Sequence, residues 1–119
     1  MNPRIENLRA ITLKVASIEV SLRFYRDLLG MELVYGGPGS TFCSLVSPGA
    51  GFPILNLEQG APAGDWGRII FHVTDVDRFW ERLEEEGFKP DPPKDAPWGE
   101  RYFHVHDPDG HELSFARPL

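Results

Sequence analysis

Two of the chain's histidines, His104 and His106, stand two residues apart in Tyr102-Phe103-His104-Val105-His106. On a strand, alternate side chains share a face, so both imidazoles could reach one ion or one ligand. A third histidine, His72, follows Arg68 by four residues in another extended-looking run, Arg68-Ile69-Ile70-Phe71-His72. A neutral imidazole titrates in the right range for general-base work. A guanidinium suits a carboxylate, a phosphate or a developing oxyanion. Four residues of strand measure roughly 13 Å at ~3.3 Å each. One ligand could therefore span His72 and Arg68, but a single atom could not contact both. His111 belongs to the turn that follows Asp107-Pro108-Asp109-Gly110. Cys43 is the only cysteine, so no internal disulfide forms. Nothing nearby in sequence would activate its thiol, and it reads as a small apolar filler.

The segments that must position these residues occur twice. Ala10-Ile-Thr-Leu-Lys-Val15 leads through a polar corner into a helical run with Ile18, Leu22, Tyr25 and Leu29. Arg68-Ile-Ile-Phe-His-Val73 leads likewise into Val76, Trp80 and Leu83. Val15 and Val73 are 58 positions apart, and the same shift carries Ile54-Leu55-Asn56-Leu57 onto Glu112-Leu113-Ser114-Phe115. Alternation predicts strands at Ala10–Val15, Met31–Tyr35, Thr41–Val46 and Pro53–Glu58 in the first copy. The second copy should have strands from Arg68, a short one near Phe88, then Arg101–His106 and Glu112–Ala116. Ser17 in one copy and Asp75 or Thr74 in the other can cap the helices, which Gly30 and Gly87 can end. The proline-rich stretch Pro90, Pro92, Pro93, Pro97 makes the link after the second helix irregular. The expected organisation is one domain, 1–119, with module one at 1–59, a linker at 60–65 and module two at 66–119.

Strand parity assigns faces. Ile11, Leu13, Val15, Leu55, Leu57, Ile69, Phe71, Val73, Phe103, Val105, Leu113 and Phe115 should pack on the two helices, and Trp80 should join the core. Lys14, Asn56, Glu58, Arg68, His72, Tyr102, His104, Glu112 and Ser114 fall on the opposite, polar face. Plain solvent exposure would account for any one of them. The repetition of that face in both copies points instead to a shared ligand groove, bordered by Trp66 and Trp98, whose indoles can stack on a planar or cationic group.

A length of 119 residues suits a single domain that buries roughly two-thirds of its unfolded surface. The formal charge of −6 disfavours nucleic acid and anionic membranes as partners. Glu84-Glu85-Glu86 reads as a solvated helix face. No apolar leader opens the sequence and no stretch is long enough to span a bilayer, so the expected location is cytoplasmic.

Several motifs resemble the vicinal oxygen chelate superfamily, which includes glyoxalase I, bleomycin-resistance proteins and extradiol dioxygenases. Ser21-Leu22-Arg23-Phe24-Tyr25 with Leu28-Leu29-Gly30-Met31 is similar to its helix-to-strand signature, and Asp107-Pro108-Asp109-Gly110 with Leu113 to its terminal hairpin. The fold this implies is α+β, two tandem βαβββ modules forming a cupped mixed sheet with helices on its outer face. Members are commonly dimers, so the resemblance implies a homodimer.

Metal-using members place His or Glu ligands at equivalent strand positions of the two modules. By resemblance those positions are Ala10, Asn56, Arg68 and Ser114 here. Alanine has no donor atom, arginine is a fixed cation, and asparagine and serine are weak neutral ligands. The expectation is therefore no metal and no other cofactor. Pro97-Trp98-Gly99-Glu100-Arg101-Tyr102-Phe103 looks like the corresponding stretch of the drug-binding members, which sequester a partly cationic, planar-ringed antibiotic without altering it. The function implied is metal-independent binding of an aromatic small molecule or antibiotic in the groove between the modules, by Lys14, Asn56, Arg68, His72, Trp98, Tyr102, His104 and Ser114. Arg68 and Lys14 on that face would suit a carboxylate or phosphate instead, unless Glu58 and Glu112 neutralise them. Two alternatives stand beside this one. The first is a metal-dependent lyase or dioxygenase with a displaced site at His72, His104 or His106. The second is a metal-free enzyme with His72 or His104 as base.

Overall fold

The computed structural model describes residues 3–119. Strand β1 (Ala10–Val15) feeds helix α1 (Ile18–Leu22), which runs on into a π-helical turn over Arg23–Leu28. Strands β2 (Glu32–Gly36), β3 (Phe42–Val46) and β4 (Ile54–Gln59) complete the first set. The second set is β5 (Arg68–His72), α2 (Val76–Glu85), β6 (Lys94–Asp95), β7 (Glu100–His106) and β8 (Glu112–Pro118). The fold is α+β, and its strands form two four-stranded mixed sheets, β1-β4-β3-β2 and β5-β8-β7-β6. The chain divides into two compact units between Pro62 and Ala63.

The duplication extends to strand register. Ala10 pairs with Ile54 and Thr12 with Asn56 across the parallel β1/β4 ladder. Arg68 pairs with Glu112 and Ile70 with Ser114 across β5/β8. These are the same pairings moved by the 58-residue repeat. A one-residue slip would turn either apolar set to the wrong face, so both copies need this register to cover their helices.

Each helix starts where a side chain takes an orphan amide. Ser17 Oγ accepts from Val20 N at 3.2 Å, and Asp75 Oδ1 from Arg78 N at 3.1 Å. Gly30 and Gly87 follow the helical segments at φ +82° and +91°, in the left-handed region that glycine enters without penalty. The π turn is a feature that a 3.6-residue period does not predict. Its wider winding, with Leu29 N donating to Phe24 O at 2.9 Å, lets the adjacent Phe24 and Tyr25 both turn inward. They meet edge to face at 5.0 Å.

In the first unit α1 packs on β4, and Leu13, Val15, Ile18, Leu22, Leu45, Leu55 and Leu57 are buried with Cys43. Burial pushes the Cys43 thiol pKa up, as an inert filler requires. In the second unit α2 packs on β7 and β8. Phe115 lies at the centre of that core, stacked on Phe103 at 5.1 Å, Phe71 at 5.6 Å and Phe79 at 5.7 Å.

Three expectations are corrected. Ile11, near the start of β1, and Ile69, Phe71 and Val73, in and just after β5 at the margin of its sheet, are only half-buried. Trp80 is half-buried too, its Nε1–H donating to Pro90 O at 3.4 Å. The strand expected near Phe88 forms instead at Lys94–Asp95. Phe88 N is spent on Leu83 O at the helix end, and Pro90, Pro92 and Pro93 have no N–H for a ladder.

Candidate functional site

Register arranges the polar face of the second sheet as a grid. One row is His72, Ala116 and Tyr102, the next Ile70, Ser114 and His104, the third Arg68, Glu112 and His106. Beside the first row stands Trp98, at the turn before β7. Arg68, Ile70, Trp98, Glu100, Tyr102, His104, Ser114 and Ala116 line one cleft of about 300 Å³. Five of the eight expected binding residues meet there.

Trp98 is 66% exposed yet held in place. Its Nε1–H donates to Glu100 Oε1 at 2.8 Å, and its ring lies 5.5 Å from that of Tyr102, tilted by 32°. Tyr102 in turn sits 5.2 Å from the His104 ring. Three rings thus follow one another from the turn into β7, and the indole that leads them is largely exposed. The other oxygen of Glu100 lies 3.3 Å from His72 Nε2. His72 therefore supports the cleft from outside its lining.

His104 Nδ1 is 2.6 Å from the buried Ser114 hydroxyl. Burial first, then the charge of Arg68, holds the His104 pKa below its usual value of 6.5, so its imidazole is neutral at pH 7. Arg68 Nη2 reaches Glu112 Oε1 at 3.5 Å.

The corresponding face of the first sheet is satisfied internally. Ser44 Oγ donates to Asn56 Oδ1 at 2.6 Å, and Asn56 Nδ2 donates to Thr12 Oγ1 at 3.3 Å. Lys14 Nζ is 2.8 Å from Glu58. Lys14 and Asn56 are not among the residues that line the cleft. Trp66 does not line that cleft either. Its Nε1–H donates to Nδ1 of buried His111 at 2.8 Å, which ties the segment before β5 to the turn before β8.

Sequence reading left out Ile70, Glu100 and Ala116, though each has the parity of a residue it selected. Ile70 is 61% exposed and supplies apolar floor. Glu100 supplies the acceptor that orients Trp98. A second hollow, of about 400 Å³, follows Arg78, Phe79, Glu81, Arg82 and Glu85. Its lining comes from one helix and gathers no polar groups from another element. Among the described residues no group of three or more His, Cys, Asp or Glu side chains is placed to hold a metal. His72, His104 and His106 do not converge on one. No helix among those residues is long and apolar enough to cross a membrane.

The family model described as Glyoxalase/Bleomycin resistance protein/Dioxygenase superfamily matches residues 7–115. A solved member of that superfamily from Sphaerobacter thermophilus superposes with a TM-score of 0.78 at 29% identity, over 94% of this chain and 97% of that one. TnmS3, an antibiotic-binding protein from Streptomyces sp. CB03234, superposes with a TM-score of 0.75 at 26% identity, over 99% and 100% of the two chains. Metallothiol transferase FosB of Staphylococcus epidermidis is 31% identical over 77 residues, 61% of this chain. The match spans about half of that enzyme's length, 53%.

Proposed function

The chain belongs to the glyoxalase/bleomycin resistance protein/dioxygenase superfamily, and we propose that within it this protein is a metal-independent binder of an aromatic small molecule or antibiotic. The observation that carries the reading is Trp98, an exposed indole fixed by Glu100 and Tyr102 over a cleft of ligand size. Fixing the ring in advance removes much of the ordering cost of stacking a ligand on it. The likeness to TnmS3, an antibiotic-binding protein, supports the same reading.

The donor chemistry at Ala10, Asn56, Arg68 and Ser114 supports metal independence. Ala10 offers no ligand atom and Arg68 brings a positive charge. Asn56 is engaged with Ser44 and Thr12, and Ser114 with His104. The protein is further proposed to be a homodimer, by analogy with other members.

Calorimetry and tryptophan fluorescence across glycopeptide antibiotics and aromatic metabolites test the proposal. Saturable binding is expected, weakened about tenfold or more by Trp98→Ala, the size of a lost stacking partner. Saturable binding to none of them would sink it.

The 2.6 Å contact between His104 and Ser114 favours a second reading, an enzyme of the same superfamily that uses His104 as base or ligand. Elemental analysis of protein purified without chelator, with turnover assays beside it, separates the two. A stoichiometric divalent ion lost on His104→Ala, or turnover lost with it, would replace binding by catalysis.

A further inference from the structure

We propose that the cleft selects a planar aromatic ligand bearing a carboxylate, with Arg68 as the anchor for the anion; this rests on the binding role proposed above for the same cleft. The basis is which hydrogen-bonding groups of the cleft remain uncommitted. Each oxygen of Glu100 already has a partner, one accepting from Trp98 at 2.8 Å and the other facing His72 at 3.3 Å. Glu112 faces Arg68. A cationic ligand would share either carboxylate with a partner already in place, and at Glu112 that partner is itself a cation.

Arg68 is the reverse case. A guanidinium carries five N–H donors. Among the described residues Arg68 makes a single ion pair, at the long distance of 3.5 Å. Its side chain is 45% exposed. Its unused donors form the planar fork that fits a carboxylate with two parallel hydrogen bonds. Lys14 in the first sheet shows the contrast, held by Glu58 at 2.8 Å beside a closed Thr12–Asn56–Ser44 chain. The two copies have diverged in this respect. One polar face is spent on itself, and the other keeps donors for an acceptor-bearing guest.

The grid also sets the guest's length. Tyr102 and Arg68 are two register rows apart, roughly 13 Å along the strands. The reach of the arginine side chain shortens that gap. Ile70 and Ala116 give an apolar floor beside the middle of the path. A fused two-ring acid, stacked at Trp98 and Tyr102 with its carboxylate toward Arg68, spans what is left.

The test is calorimetry at pH 7 on the full chain with naphthoate, naphthamide and naphthylmethylammonium. These share a ring system and differ in charge. Naphthoate should bind about tenfold or more tightly than the other two, the range of a charge-assisted hydrogen bond. Arg68→Gln should remove that preference, bringing naphthoate to the affinity that the same variant shows for naphthamide. Glu112→Gln, which releases Arg68 from its carboxylate, should tighten naphthoate. These opposite responses separate loss of an anchor from loss of the fold. Equal binding of all three probes, or tightest binding of the ammonium, overturns anion selection while the binding role stands. Naphthoate affinity indifferent to both substitutions also overturns it. Binding of none of the three overturns anion selection, and the binding role is then decided by the screen of antibiotics and aromatic metabolites above.

Discussion

Replacing His104 by glutamine should flatten the acid side of the stability curve. Burial, reinforced by Arg68, lowers the folded-state pKa of His104 below 6.5. The unfolded chain therefore takes up this proton first as pH falls. Stability is full above about pH 6.5 and declines as pH drops through the folded value, then levels off. Glutamine cannot titrate and can still bond Ser114. Denaturant midpoints at pH 7 and pH 5 should differ less for His104→Gln than for the parent chain. An equal or larger difference would contradict the assignment. At this scale the sequence was informative about residue type and weaker about partners. Strand parity alone brought Arg68, Tyr102, His104 and Ser114 to one face. It could not show that Asn56 and Lys14 are tied up by near neighbours, because side-chain satisfaction depends on distances that parity does not carry. Nor did it separate Trp66, which is bonded to His111, from Trp98, which is free to stack.

Gly36 closes β2 with φ +68°, and a Cβ there would collide with the carbonyl oxygen of Phe42 on the facing strand. Gly36→Ala should therefore cost about 2–3 kcal/mol, combining left-handed strain with a backbone clash. Gly30, with nothing within 4 Å of such a Cβ, should lose less on the same change. Urea midpoints for the two variants make the comparison, and an equal loss would discount the clash. The elements themselves were largely legible. The repeat, the Ser17 cap and the order of elements along each copy follow from periodicity and turn chemistry, and Asp75 is one of the two caps that the second copy offered. The π turn was not, because its i→i+5 winding leaves no period in so short a segment. The displaced β6 was missed for a different reason. Proline marks where a ladder cannot form and says nothing about where the next strand begins.

The duplicated design makes Phe115 the keystone of the second unit. It is 1% exposed and stacked on three rings drawn from β5, α2 and β7. Phe115→Ala should destabilise the protein by about 3–5 kcal/mol, as for other buried phenylalanines. A loss under about 1 kcal/mol would mean the stack adapts freely. The proposed homodimer belongs to this scale too. Sedimentation should report twice the 13.4 kDa chain mass, and a single-chain mass at every concentration would exclude it. Composition correctly pointed to a folded globular chain, but neither charge nor length carries a subunit count.

The two-residue β6 has an outcome for colloidal behaviour. An outermost strand that short, preceded by prolines, offers almost no unpaired amides on which a foreign chain could template. Its counterpart in the first sheet, β2, is five residues long and presents Val34 and Tyr35 to water. If destabilised preparations form fibrils, the growth front should involve β2, and Val34→Lys should slow it.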